Sequence, residues 1–294
     1  MFMVTMSGME NQSTSAGLGD WGIRFVWALP GGLADSLVRY LILPIFIPTG
    51  KLCGAVTKAA GAEGWDEVVC LGDIVGYGAD PNACVDWVRA NARFVIRGNH
   101  DKACVGLEDL EWFNPVASRA CRWTQQQLKP DAAEWLRQLA AGPKPAGGEG
   151  QFTIAHGSPA DEDQYVVNLE EAAQLAGYLE DAVTLIGHTH LQGGFEFRPG
   201  TGRGGESAVR RIPAVAADDS RWELNLAPGA QYLINPGSVG QPRDGDPRAA
   251  WGLLDPDRGS MVYHRVEYDV QGAQAKILAA GLPEVLAFRL AIGH

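Results

Sequence analysis

The chain has 294 residues, 46% of them hydrophobic, and a formal net charge of -11. A chain of this size can bury a substantial core, and its length allows one or two domains. The acidic balance argues against a nucleic-acid surface and against an anionic-membrane surface.

Residues 1–22 are rich in Ser, Gly, Asn and Gln, the composition of a disordered segment. Residues 22–37 are apolar but interrupted by Pro30, Gly31 and Gly32, and take no assignment. Val38–Leu43 is the first strand only by the resemblance set out below. Val38 is also a candidate natural start, since GTG codes for Val, so residues 1–37 read as an extension and 38–294 as a single domain. The apolar run Tyr40–Ile47 is too short to span a bilayer. No basic segment followed by an apolar core marks a signal peptide. These features predict a cytoplasmic protein without membrane contact.

Lys51–Ala62 is a predicted helix, weakened by Gly54 and Gly61. Trp65–Asp73 carries the second strand. PNACVDWVRAN, residues 81–91, opens on proline and spaces its apolar residues at helical period. FVIRGNHD then ends a third strand in a polar loop that runs to Gly106. Helices are predicted over Asn114–Gln127 and Asp131–Ala140, the second with Asp131 as N-cap. Residues 141–150 read as a loop and Gln151–His156 as a strand. Asn168–Leu179 reads as a helix with Asn168 and Glu171 in a capping box. Val183–Gly187 is a strand, and GFEFRPG after it alternates as an antiparallel strand does. Beyond the glycine-rich turn at 200–205, strands are predicted at 208–215 and 231–235. Residues 248–255 and 260–269 form a predicted β-pair across Pro256–Gly259. Residues 271–291 close the chain as helices broken near Gly281–Pro283. Trp123 and Trp135 read as packing residues. The five cysteines, Cys53, Cys70, Cys84, Cys104 and Cys121, form no CxxC pair and read as small buried hydrophobes in a reducing compartment.

Strand, helix, strand over Val68–Asp101 is the unit of a parallel sheet, and chemistry in such sheets collects where strands end. Asp73, Asn99, His100 and Asp101 fall there. TIAHGSP and VTLIGHTH repeat the pattern with His156, His188 and His190. Four of the six histidines thus follow predicted strands. Oxygen and imidazole donors gathered this way suit divalent transition metals. His264 and His294 have no such context, and Arg243 in GQPRDGD reads as turn-stabilising, with a phosphate contact as the alternative.

The order GD, GNHD, HG, GHTH resembles the calcineurin-like metallophosphoesterases. INPGSVGQPRDGDPRAAW, residues 234–251, resembles the small prokaryotic phosphodiesterase or diadenosine-tetraphosphatase-like branch. The resemblance implies an α/β fold, a sandwich of two mixed β-sheets flanked by helices. It implies one ion on Asp73, Asn99, His156 and His188. A second ion would take Asp73, His190 and an Asp-x-His pair after the first strand. Mn, Fe, Ni and Zn all suit such ligands. His100 is implied as the group facing the leaving oxygen, with Asp101 holding its tautomer. The implied partner is a small phosphate-ester substrate, compatible with an acidic chain because bound cations reverse the local charge. No oligomeric state follows from the sequence.

The chain departs from the family at the first motif. Where the family has Ser-Asp-Ile-His, this chain reads Pro44-Ile45-Phe46-Ile47 and supplies neither carboxylate nor imidazole. Codons for residues 44–52, read with one T restored ahead of them, can give Ser-Asp-Ile-His-Ser-Asn-Trp-Glu-Ala. The expectation is a shifted reading frame, leaving one ion rather than two in the chain as written and its activity impaired. The alternative is genuine divergence, a non-catalytic protein that keeps the fold for a regulatory or binding role.

Overall fold

The structure, a computed structural model, describes residues 38–44, 50–201 and 207–294. The expected extension at 1–37, the core of the altered first motif at 45–49, and most of the turn at 200–205 lie outside the described residues.

Two six-stranded mixed sheets are present among the described residues. The first has the order β3-β2-β1-β11-β12-β9. Here β1 (Tyr40–Leu43), β2 (Glu67–Cys70) and β3 (Ala92–Val95) run parallel, while β9 (Arg221–Asn225), β11 (Ala249–Asp255) and β12 (Ser260–Val266) complete it antiparallel. The second has the order β4-β5-β6-β10-β7-β8. Its parallel centre is β5 (Phe152–Ile154), β6 (Val183–Leu185) and β10 (Gln231–Pro236). Its flanks are β4 (Lys144–Ala146), β7 (Gln192–Arg198) and β8 (Ala208–Ile212).

Strand side chains alternate between faces, and both faces of β1, β2, β6 and β10 are buried, while the edge strand β3 is only half-buried. Tyr40, Ile42, Val69 and Leu71 meet Phe152, Ile154, Leu185 and Ile234 in the layer between the sheets. Leu41, Leu43, Val68 and Cys70 face the other way, onto Cys84, Val85 and Val88. Those three lie on α2 (Pro81–Asn91), which follows α1 (Gly50–Glu63) and spans the predicted residues with Pro81 in its first turn. Cys70, Cys84, Cys104 and Cys121 are buried and form no disulfide.

Four expectations are corrected. The GNHD loop is instead α3 (Asn99–Cys104), capped by Gly98. After α4 (Pro115–Gln127), the N-cap of α5 (Pro130–Arg137) is Lys129; Asp131 lies inside the helix and accepts from Arg89 Nη1 at 3.2 Å. Residues 141–150 contain β4, where Pro145 is tolerated because the strand is an edge. Strand β9, an edge of the first sheet, had no predicted counterpart. The capping box of Asn168 and Glu171 is present, but α6 (Leu169–Gln174) is shorter than expected. Beyond β12, α7 (Val270–Ala279) and α8 (Glu284–Phe288) pack on Tyr77 and Ala120. No described helix is long and apolar enough to cross a membrane.

Candidate metal centre

The carboxyl ends of the parallel strands of both sheets meet at one seam. Asp73 follows β2, Asn99 follows β3, His156 follows β5, and His188 and His190 follow β6. Pro44, just past β1, is buried at the same edge: a Cβ added at Gly187 would meet its carbonyl oxygen at 3.1 Å. Donor atoms of Asp73, His156 and His188 lie within 4.8 Å of one another, and all three residues are buried. His156 Nε2 is 3.4 Å from Asp73 Oδ1 and 3.3 Å from Asn99 Oδ1. Close packing makes this possible, since any side chain at Gly98 would overlap the Asp73 carboxylate.

The backbone sets the tautomers. A carbonyl only accepts, so His156 Nδ1 donates to Leu71 O at 2.7 Å and His190 Nδ1 donates to Gln241 O at 2.7 Å. Each ring therefore presents a bare Nε2 lone pair. Asp73 Oδ2, His188 Nε2 and His190 Nε2 are buried without hydrogen-bond partners. Asp73, His188 and His190 also sit at φ of 51°, 59° and 63°, in the left-handed region that non-glycine residues avoid. Unpaired buried acceptors on strained backbone suit a bound cation, and the donor set fits a divalent metal.

The electrostatics agree. Burial disfavours the Asp73 carboxylate, but His156, His100 and His188 around it outweigh that and hold its carboxyl below the usual range. Burial, with His156 nearby, pushes His188 down to about 3. Burial and the Arg243 charge keep His190 well below its ordinary value. Both rings are neutral at neutral pH, the form that ligates metal.

His100 lies beside this cluster. Its backbone N–H donates to Asp73 Oδ1 at 3.0 Å, and its ring packs on Tyr77 with centroids 3.9 Å apart. The expected partnership with Asp101 is corrected. Asp101 spends both oxygens on backbone, accepting from Ile74 N, Val75 N and Gly98 N at 2.9–3.2 Å. It holds the loops that carry Asp73 and Asn99, and does not orient the His100 imidazole. That ring meets Cys121 Sγ instead, 3.4 Å from Nδ1.

A cavity of about 280 Å³ opens on the site, with Tyr77, His100, Phe113, Tyr165, His188 and Arg243 in its wall. The glycine-rich loop Gly76–Pro81, which the family resemblance puts at the substrate rim, brings Tyr77 to that wall. The sequence reading missed Tyr165 and the Cys121 contact and favoured a turn for Arg243, whereas it lines the cavity. It also missed Asn235, which donates to Gly187 O at 2.7 Å and to Thr189 Oγ1 at 2.9 Å and so braces the GHTH loop. The polar end of the INPGS run was the only signal for that role. His264 is a buried strand residue stacked on Trp251, 3.9 Å between centroids, and His294 is exposed.

A family model described as calcineurin-like phosphoesterase matches residues 16–192. An uncharacterised protein of Methanocaldococcus jannaschii is 31% identical over 250 residues, covering 82% of this chain and 92% of its own. The crystal structure of a metallophosphoesterase from Sphaerobacter thermophilus aligns with a TM-score of 0.73 and 36% identity, over 88% of this chain and 100% of that one. A hypothetical protein of Pyrococcus horikoshii OT3, at 17% identity and a TM-score of 0.64, shares the fold over 87% of this chain and 99% of its own. Two mixed sheets flanked by helices, with a buried carboxylate–imidazole cluster at their seam, define a metallophosphoesterase fold. The chain belongs to the calcineurin-like phosphoesterase family, whose members are metal-dependent hydrolases of phosphate esters.

Proposed function

We propose that the protein is a metal-dependent phosphoesterase hydrolysing a phosphate mono- or diester, with nucleotides among the candidate substrates. The observation that carries this reading is the set of buried, unpartnered donor atoms on Asp73, His188 and His190. Leaving such atoms unsatisfied costs about 1–3 kcal/mol each, which a cation would offset. Asp73, Asn99, His156 and His188 would hold one divalent ion, with Mn, Fe, Ni and Zn all suited. Asp73 and His190 would contribute to a second. When bound, such ions neutralise phosphoryl oxygens and lower the pKa of water. The chain's own work is positional. Leu71 and Gln241 carbonyls hold His156 and His190 in the ligating tautomer, and Asp101 fixes the loops beneath Asp73 and Asn99. His100, on the cavity wall, is suited to give a proton to the leaving oxygen.

The second ion also needs an Asp-x-His pair, and residues 44–53 contain no carboxylate or imidazole. We read this as a shifted frame in the coding DNA, so that the chain as written holds one ion and is impaired. That same gap favours the second reading, a non-catalytic protein on this fold. Elemental analysis and hydrolysis of p-nitrophenyl phosphate and its bis-ester, with and without added Mn, test both. The variant Pro44→Ser, Ile45→Asp, Phe46→Ile, Ile47→His should gain an ion and metal-dependent hydrolysis. A folded variant that gains neither leaves the non-catalytic reading, and an unambiguous gene sequence without compensating shifts between codons 43 and 54 removes the frame argument.

A further inference from the structure

Arg243 lies half-buried next to the site, yet its charge has no carboxylate to answer it. Its backbone N–H donates to His190 O at 3.2 Å, which ties it to the GHTH loop. Its Nη2 donates to Tyr77 Oη at 3.1 Å and to Gln241 Oε1 at 3.0 Å, and Tyr165 is a further neighbour. Its Nε is buried without a partner. Among the described residues no Asp or Glu oxygen lies within the 4.0 Å of an ion pair. The adjacent carboxylates are engaged elsewhere, Asp244 by Arg265 and Asp246 by Arg248. Burial pushes the Tyr77 phenol up, so it stays neutral and does not offset the charge.

A guanidinium stays protonated in any protein environment, and a partly desolvated charge without a counter-charge is costly. What Arg243 faces is the cavity, whose wall also carries His188, His100 and a second guanidinium, Arg289. The two carboxylates in that wall, Glu108 and Asp163, are already paired with Lys102, at 3.2 and 2.6 Å. Arg243 and Arg289 thus bring two guanidinium groups to this wall, and both wall carboxylates turn to Lys102 rather than to Arg243, in a chain that is acidic as a whole. The missing partner is an anion.

We propose that Arg243, steadied by Tyr77, is the receptor for a doubly charged phosphoryl group, so that the cavity selects phosphate monoesters or terminal phosphates over diesters. This rests on the phosphoesterase reading and narrows its substrate class. A diester carries one negative charge and two terminal oxygens. A monoester carries a second charge and a third terminal oxygen, which gives the unpartnered Nε and the guanidinium charge something to bind. Charge-assisted hydrogen bonds of this kind are about twice as strong as neutral ones.

The test is calorimetric titration of the Mn-treated protein with inorganic phosphate and with dimethyl phosphate, after metal analysis of each sample. The parent should bind phosphate more tightly than dimethyl phosphate. Arg243→Gln should weaken phosphate by about tenfold or more with its metal content unchanged, and Arg243→Lys should fall between. Tyr77→Phe keeps the ring and the fold but removes the hydroxyl that holds Nη2, and should weaken phosphate severalfold. Equal affinity for the two anions in the parent overturns the proposal. So does phosphate affinity unchanged in Arg243→Gln or, if that variant does not fold, in Tyr77→Phe. Metal content reads the phosphoesterase proposal separately. A metal-free protein that binds phosphate only while Arg243 is present keeps the anion subsite and discards the metal reading. A protein that binds no phosphate, with or without metal, discards the subsite.

Discussion

His156 Nδ1 lies 2.7 Å from the carbonyl oxygen of Leu71, so a ring carried by one sheet is fixed by the backbone at a strand end of the other. The ligand cluster is thus a property of how the two sheets meet, and substitutions that separate their strand ends should be felt first as loss of metal.

Gly98 is where this is sharpest. A methyl group there would overlap the Asp73 carboxylate and come within 2.7 Å of His156 Cε1. Gly98→Ala should abolish metal binding and lower stability by about 1–3 kcal/mol, the usual cost of overpacking. Elemental analysis and urea unfolding check this. Parental metal content in a folded variant would mean that the loop yields and that close approach at Gly98 is not what forms the site.

Stability should fall on acidification. Burial holds His188 down to about 3 and His264 down to about 4. In the unfolded chain both titrate near 6.5. Between these values the unfolded state binds protons that the folded state refuses, so stability drops as pH falls from about 6.5 towards 4. Each ring contributes a slope of up to about 1.4 kcal/mol per pH unit. Asp73, held low, acts in the same sense at lower pH; His100, held high, acts in the opposite one. Urea midpoints of the metal-free protein at several pH values measure the slope. His264→Gln, remote from the ligands, should flatten it; an unflattened slope would show that His264 is not titrating on unfolding.

Cys121 should set the proton affinity of His100. Burial disfavours the charged ring, but Asp73 and then Cys121 raise its pKa above the ordinary value. In turn a hydrogen bond from Cys104, against burial and with His100 beside it, brings Cys121 down to about 6. Cys121→Ala should lower the His100 midpoint in imidazole NMR titration of the metal-free protein. Cys121→Ser, a weaker acid, should lower it too. An unchanged midpoint in both would leave Asp73 as the sole support.

Much of this is legible in the sequence, and the exceptions share a cause. Strands β2 and β6 announce themselves because both faces are buried, so VVCL is an unbroken apolar run and VTLI is interrupted only by Thr184, and Asp73 and the GHTH histidines stand just past where those runs stop. Helix α3 was hidden because Asn99–Cys104 has no apolar repeat; its start is set by Gly98 and by Asp101 reaching back to the Gly98 N–H. Strand β4 was hidden by glycine and proline, which an edge position tolerates. The roles of Asp101, Cys121 and Arg243 depend on partners fixed only by folding: Arg243 meets Tyr77 across 166 residues. Local pattern carries no trace of such pairings.

The left-handed backbone at Asp73, His188 and His190 has a consequence for how this protein can change. Each position costs of order 1–3 kcal/mol that glycine would not incur, and each side chain adds a buried atom with nothing to bind until a cation arrives. The ligands are kept against the interest of folding. Losing them relaxes the scaffold, so a lineage that abandons hydrolysis descends in conformational free energy and keeps the sandwich, while one that regains it must climb.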